Sequence, residues 1–454
     1  MRSPLKIAPF GGIISKPVLP CREDRNIPGN LMIARMNIQL SDLVLALSKA
    51  VDLVSPAMGH HQTDVAFIAH ELAGEMGLSQ SEQGLLFMAG ALHDIGAVSF
   101  KERESLLSFR DSGPFEHQAS GYNLIRMFKP LERAAEIVRF HHVSWDEGRG
   151  CESDGRQVPD ECHILRCADR IAVLLDKPSD MLALSGNIVQ QVREQSGTML
   201  KPGVVDAFES LASKESFWLD VATFSLSRDM HVKMRLESAP LDINEIINLT
   251  KMFSHIIDFR SSFTATHSSG VASSAIALAR LVGFSEFECL LMKVAGYLHD
   301  LGKLAVPPEI LEKPAKLTKE EFLVVKSHTY YTYRVLEPIG QFEVANQWAA
   351  FHHEHLSGKG YPFHLKAQDL PLGSRIMAVA DVFTALAENR PYRMGMGPKE
   401  TVAILNEDAV NSQLDHELVS VLRRHYDQID GMRATAQRAA SEEYIQYRDS
   451  RRAN

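Results

Sequence analysis

The chain has 454 residues, 45% hydrophobic and 23% charged, which excludes a disordered chain, a collagen-like fibre and a disulfide-stapled miniprotein. Lys+Arg 48 against Asp+Glu 57 leaves a net charge of −9, a poor balance for holding long nucleic acid. Five scattered cysteines without a C-x-x-C word point to a reducing compartment, and no apolar run is long enough to span a membrane, so a cytoplasmic location is expected.

Residues 1–36 are proline-rich and aperiodic, and read as a mobile extension. Helical patterning then begins: 40–54, 65–76 and 82–92 carry apolar residues at three- and four-residue spacing. Residues 226–240 read as a connection, with one isolated strand at 230–236. Helical spacing resumes at 271–282, 286–298 and 320–336. Ser285 and Thr318 stand where N-caps belong, each followed by acidic residues. Residues 431–454 are polar and Arg-rich, and read as a frayed helix or tail.

The 19 histidines reveal an internal repeat. His61 to His93 is 32 positions, and so is His267 to His299. Both second histidines head the word Leu-His-Asp-Ile/Leu-Gly, at Asp94 and Asp300. His117 precedes the pair His141-His142 by 24, and His328 precedes His352-His353 by 24. Each half closes on Ala-Asp, at Asp169 and Asp381. Repeat one is placed within 37–225 and repeat two within 241–430, both helical, so the fold class expected is all-α with two tandem domains.

Histidine with aspartate is the donor set of first-row divalent metals. Adjacent His and Asp on one regular helix point in different directions, so one serves the ion facing it while the carboxylate can bridge to a second. Two ions roughly 3.5–4 Å apart suit phosphoester hydrolysis, because they generate a nucleophile and clamp attacking and leaving oxygens. A lone histidine is more often a core or surface residue. Five histidines and two aspartates repeated at matched positions in both halves are not chance.

The second half carries further words in order: His299-Asp300-Leu301-Gly302-Lys303, Lys326-Ser327-His328, His352-His353-Glu354, Gly360-Tyr361-Pro362, Ala380-Asp381 and Arg390-Pro391-Tyr392-Arg393. It resembles the HD-GYP subgroup of the HD phosphohydrolase superfamily. The resemblance implies two tandem HD-type helical domains and a metal-dependent phosphodiesterase of bacterial cyclic dinucleotides. Cyclic di-GMP is the substrate expected first, cut to linear pGpG and/or GMP. The alternatives are 3′,3′-cyclic GMP-AMP, or a catalytically weak receptor. The implied metal ligands are His267, His299, Asp300, His328, His352, His353 and Asp381. Lys303, with Asp300, would be catalytic and hold a phosphate oxygen; Gly360, Tyr361, Pro362, Arg390 and Arg393 would meet the substrate. Trinuclear members carry Glu four residues before the first histidine. Here Phe263 stands there, so two ions are expected, iron or manganese. Members often carry Asp three residues after the last ligand; here it is Thr384, which removes a partner for Lys303.

Repeat one resembles the wider superfamily. It keeps a candidate metal set, His61, His93, Asp94, His117, His141, His142 and Asp169, but has Ala97 in place of lysine and no GYP word. It reads as a metal-binding regulatory repeat, a structural partner or a second hydrolase. A second copy of the chain or a signalling protein is the expected macromolecular partner.

Overall fold

A computed structural model of the chain describes residues 38–54, 59–97, 109, 116–175, 181–224, 240–258, 265–389 and 394–453. The expected extension at 1–36, the strand at 230–236, Phe263, Arg390 and Arg393 lie outside the described residues.

Both repeats are helical, as their periodicity predicts. Repeat one contains α1 (Leu40–Asp52), α2 (His61–Glu75), α3 (Gln80–Leu92), α4 (Glu116–Ile125), α5 (Glu132–Arg139), α6 (Asp160–Val173), α7 (Met181–Arg193), α8 (Pro202–Ala212) and α9 (Glu215–Phe224). Repeat two contains α10 (Ile243–Asp258), α11 (His267–Leu281), α12 (Glu286–Leu298), α13 (Pro308–Leu311), α14 (Lys319–Leu336), α15 (Glu343–Ala350), α16 (Leu372–Ala387), α17 (Pro398–Val410), α18 (His416–Arg424) and α19 (Tyr426–Ala453). Helices α3, α12 and α14 start at Ser79, Ser285 and Thr318, each closing a reciprocal capping box with the glutamate three residues on. Such a cap contributes about 1 kcal/mol and fixes where the helix begins. That start in turn sets where α3 and α12 deliver their terminal histidines.

The repeats share one apolar core, which runs without interruption from Leu43 and Leu47 of α1 to Leu422 of α18. Short strands β1 (Ile38–Gln39) and β4 (Pro240–Leu241), at the starts of the two repeats, pair antiparallel with each other. Between them in the chain, β2 (Glu152–Ser153) and β3 (Arg156–Gln157) form a small hairpin. Helix α1 packs on α14 of repeat two, and α10 packs on α4 of repeat one. The first helix of each repeat therefore braces a histidine-bearing helix of the other.

The segment read as a polar tail is part of α19, a helix of 28 residues packed on α11 and α4. Tyr426, Ile429, Arg433, Ala440 and Tyr447 are its buried stripe. Five inward positions among the described residues of a polar helix make a narrow seam, too sparse to stand out by composition. The boundary expected at 430 thus falls inside a helix.

Candidate active site

In repeat two, His267 opens α11, His299 and Asp300 follow the last turn of α12, and His328 lies on α14. His352 and His353 follow α15, and Asp381 lies on α16. All are buried except His353, which is half-buried. The seven sequence-predicted ligands therefore meet in one place.

One local device aims most of the imidazoles. The ring Nδ1 of His299, His328 and His352 lies 2.8, 2.6 and 2.7 Å from the carbonyl oxygen three residues back. Donation there occupies Nδ1–H and leaves the Nε2 lone pair facing the cluster. His299 and Asp300 were expected to diverge. They converge instead, His299 Nε2 lying 3.2 Å from Asp300 Oδ2, because α12 ends at Leu298 and the chain tightens into a 3₁₀ turn over Leu301–Ala305.

Asp300 sits between two ligand groups. Its Oδ1 is 3.5 Å from His328 Nε2, and its Oδ2 is 3.9 Å from His267 Nε2. His267 Nε2 is 3.2 Å from Asp381 Oδ1. The donor atoms of His328, His352 and His353 lie within 4.8 Å of one another, as do those of His267, His299 and Asp381. His299 Nε2 and Asp300 Oδ1 are buried without a hydrogen-bond partner. Leaving such atoms unmatched costs on the order of 1–3 kcal/mol each, which a bound cation offsets. Imidazole and carboxylate are also the right donors, so the residues fit divalent metal.

Lys303 projects from the 3₁₀ turn, its Nζ 2.6 Å from Asp300 Oδ2. Burial alone would raise the Asp300 pKa, but His299, Lys303 and His328 hold it well below the usual carboxylate range. The Lys303 side chain is 21% exposed, so its ammonium can leave Asp300 for a ligand from solvent. Over the cluster runs the Gly360-Tyr361-Pro362 loop. The Tyr361 N–H donates to the His353 carbonyl at 3.1 Å, and the Tyr361 ring lies 5.0 Å from that of His353. Glu354 anchors the loop's far end by accepting from the Phe363 and Leu365 amides at 2.6 and 3.0 Å. Gly360 has no room for a side chain, since a Cβ would lie 2.3 Å from the His355 nitrogen.

Repeat one assembles its seven residues in nearly the same way. His61 Nε2 is 3.3 Å from Asp169 Oδ1, His93 Nε2 is 3.3 Å from Asp94 Oδ2, and His117 Nε2 is 3.4 Å from Asp94 Oδ1. His93 and His141 use the same carbonyl device, at 2.8 and 2.6 Å. The surroundings differ. Ala97 is buried where Lys303 stands, and the buried Arg170 guanidinium donates to Asp169 Oδ2 at 2.6 Å. Arg166 reaches Ser144 Oγ at 3.3 Å beside His142.

Residues 251–418 and 58–174 each match a family model described as HD domain. The chain is 30% identical over 407 residues to the 3'3'-cGAMP-specific phosphodiesterase 1 of Vibrio cholerae, covering 86% of this chain and 93% of that one. The chain belongs to the HD-GYP family of HD-domain phosphohydrolases. A second V. cholerae relative, the 3'3'-cGAMP-specific phosphodiesterase 3, is 26% identical and covers 87% of this chain and 96% of its own. The cyclic di-GMP phosphodiesterase of Thermotoga maritima is 32% identical over 198 residues, 40% of this chain and 52% of its own. A crystal structure of a cyclic GMP-AMP specific phosphodiesterase of V. cholerae shares the fold, with a TM-score of 0.60 at 22% identity over 86% of this chain and 98% of that one.

As an HD-GYP protein the chain is a metal-dependent phosphodiesterase, and among the described residues no helix is long and apolar enough to cross a membrane. Thr384 is buried with its hydroxyl 3.2 Å from Ser274 Oγ, a neutral contact in place of an acidic partner for Lys303. Two participants escaped the sequence reading. Glu388 is buried and lies 3.2 Å from His267 Nδ1 through both carboxylate oxygens. Its signal was available, because it follows Asp381 by seven positions, two helical turns along the same face. Arg170, next to Asp169, had no counterpart in repeat two to draw attention to it.

Proposed function

We propose that the chain hydrolyses a 3′,3′-linked cyclic dinucleotide at repeat two, with 3′,3′-cyclic GMP-AMP preferred over cyclic di-GMP, using two divalent ions, iron or manganese. The observation that carries the reading is the pair of His/Asp groups flanking Asp300, with the partly exposed cation of Lys303 beside it. The base preference rests on coverage. Two relatives that align along both repeats are named 3'3'-cGAMP-specific, whereas five named for cyclic di-GMP align with 24–40% of this chain.

His267, His299 and Asp381 would hold one ion, His328, His352 and His353 the other, with Asp300 between them. When bound, the ions supply Lewis acidity toward a phosphoryl oxygen and lower the pKa of an attacking water. Lys303 leaves Asp300 to take a non-bridging phosphate oxygen and offsets charge that builds in the transition state. The Gly360-Tyr361-Pro362 loop covers the substrate, and Arg390 and Arg393 recognise phosphate or a guanine edge. Water oxygen bonds to phosphorus, the P–O3′ bond breaks, and the 3′ oxygen leaves with a proton. The first product is a linear dinucleotide with a 5′ phosphate. Repeat one, without a counterpart to Lys303, is regulatory.

The test is product analysis by chromatography with Mn²⁺-loaded protein on both cyclic dinucleotides. Faster cleavage of 3′,3′-cyclic GMP-AMP, abolished in Asp300→Ala and retained in Asp94→Ala, is expected. Faster cleavage of cyclic di-GMP would overturn the preference, and cleavage lost only in Asp94→Ala would move the reaction to repeat one.

A further inference from the structure

His267 differs from its neighbours in how it is aimed. His299, His328 and His352 spend Nδ1 on a carbonyl of their own helix, whereas His267 is the first residue of α11 and turns Nδ1 to Glu388. A carboxylate is the stronger acceptor. It fixes the imidazole tautomer and raises the basicity of Nε2. Glu388 is itself held from α19, where Gln437 Nε2 donates to its Oε2 at 3.0 Å. The Gln437 amide cannot turn round, because Arg433 donates to its oxygen and leaves the NH₂ end for Glu388. Gly270 of α11 makes room for this contact, since a Cβ there would lie 2.8 Å from Gln437 Nε2.

We propose that Glu388 and Gln437 are positioning residues, a relay by which the C-terminal helix sets how tightly His267 grips its ion. The relay rests on the metal reading of repeat two. It places part of the ligand support outside the 251–418 segment that matches the family model. It also gives α19 a role beyond packing, since the same helix lies against α4, which carries His117.

The test is Mn²⁺ titration of metal-free protein, followed by the paramagnetic resonance of free Mn²⁺, with no turnover required. Glu388→Gln keeps the size of the side chain and removes its charge. It is expected to weaken one binding event of repeat two about 10- to 100-fold and leave the remaining events unchanged. Gln437→Leu is expected to weaken the same event by a smaller factor, about threefold or more. Glu443→Gln is the control. Glu443 is 2.6 Å from Lys251 Nζ and 3.3 Å from His255 Nε2, so its loss loosens α19 elsewhere and is expected to leave every affinity unchanged. Wild-type affinities in both Glu388→Gln and Gln437→Leu would overturn the relay, and so would equal weakening in Glu443→Gln. A wild-type chain that takes up no ion would overturn the metal reading itself, and the relay with it.

Discussion

Replacing Gly302 by alanine should separate two ligands by adding one methyl group. A Cβ at Gly302 would lie 1.9 Å from the His328 carbonyl oxygen and 2.8 Å from the Thr332 nitrogen, all of them backbone. Ordinary contact begins at 3.4 Å, so the 3₁₀ turn and α14 must part by about 1.5 Å. Asp300 rides on that turn and His328 on α14, where their facing atoms are 3.5 Å apart. A gap widened to about 5 Å no longer lets Asp300 serve the group of His328, His352 and His353. The strain itself costs only about 1–3 kcal/mol. Gly302→Ala should therefore fold, melt a few degrees lower, lose metal from repeat two and lose turnover. Metal analysis, thermal melting and product chromatography on one preparation check this. The matched variant is Gly96→Ala, whose Cβ would lie 2.1 Å from the His117 carbonyl oxygen in repeat one. It should carry a similar stability cost and keep turnover. A Gly302→Ala protein with full metal content and wild-type turnover would refute the steric argument.

Lys303→Ala should lower kcat by about 10²–10³-fold, the usual loss for one donor to transition-state charge, with metal content unchanged; turnover within threefold of wild type would remove Lys303 from the chemistry. Glu354→Ala should raise KM about tenfold or more while both ions remain, because two loop amides lose a charged acceptor; an unchanged KM would mean the loop is held by other contacts. Metal uptake should depend on pH through His267. Burial opposes its protonation, but Glu388 and Asp381 outweigh that and raise its pKa from 6.5 to about 10. In metal-free protein the raised pKa adds stability that is complete below 6.5 and is lost as pH climbs through about 10. An ion must displace that proton, so near neutral pH uptake should release about one proton at this centre and tighten with rising pH. His328 and His353, lowered by burial to about 3 and 4, are already neutral and release none. Calorimetry in two buffers of different ionisation heat measures the release, and none detected would contradict the assignment.

Much of the site was legible because ligand chemistry leaves no substitutes. Histidine and aspartate at matched spacings in two halves of one chain located fourteen side chains, and the structure gathers them into two clusters. The helices were legible from periodicity, with starts fixed at Ser285 and Thr318 by capping chemistry that acts within four residues. What stayed hidden depends on contacts between distant segments. Glu388 acquires its role only when α11 meets α16, and Gln437 only when α19 covers both. Helix α19 itself looked like a tail because its buried stripe is narrow. The convergence of His299 and Asp300 was missed because a regular helix was assumed up to the word that ends it.

The braced seam between the repeats has a thermodynamic consequence. With α1 resting on α14, α10 on α4, and one core through both, the two halves are expected to melt in one transition, which a single calorimetric peak would show. Whatever binds the folded form of one half then stabilises the other by mass action, even if no atom of the second site moves. An ion that occupies repeat one at about 1,000 times its dissociation constant would add about 4 kcal/mol to the whole chain. Metal supply could in this way govern how much hydrolase survives in the cell before it governs how fast the hydrolase works.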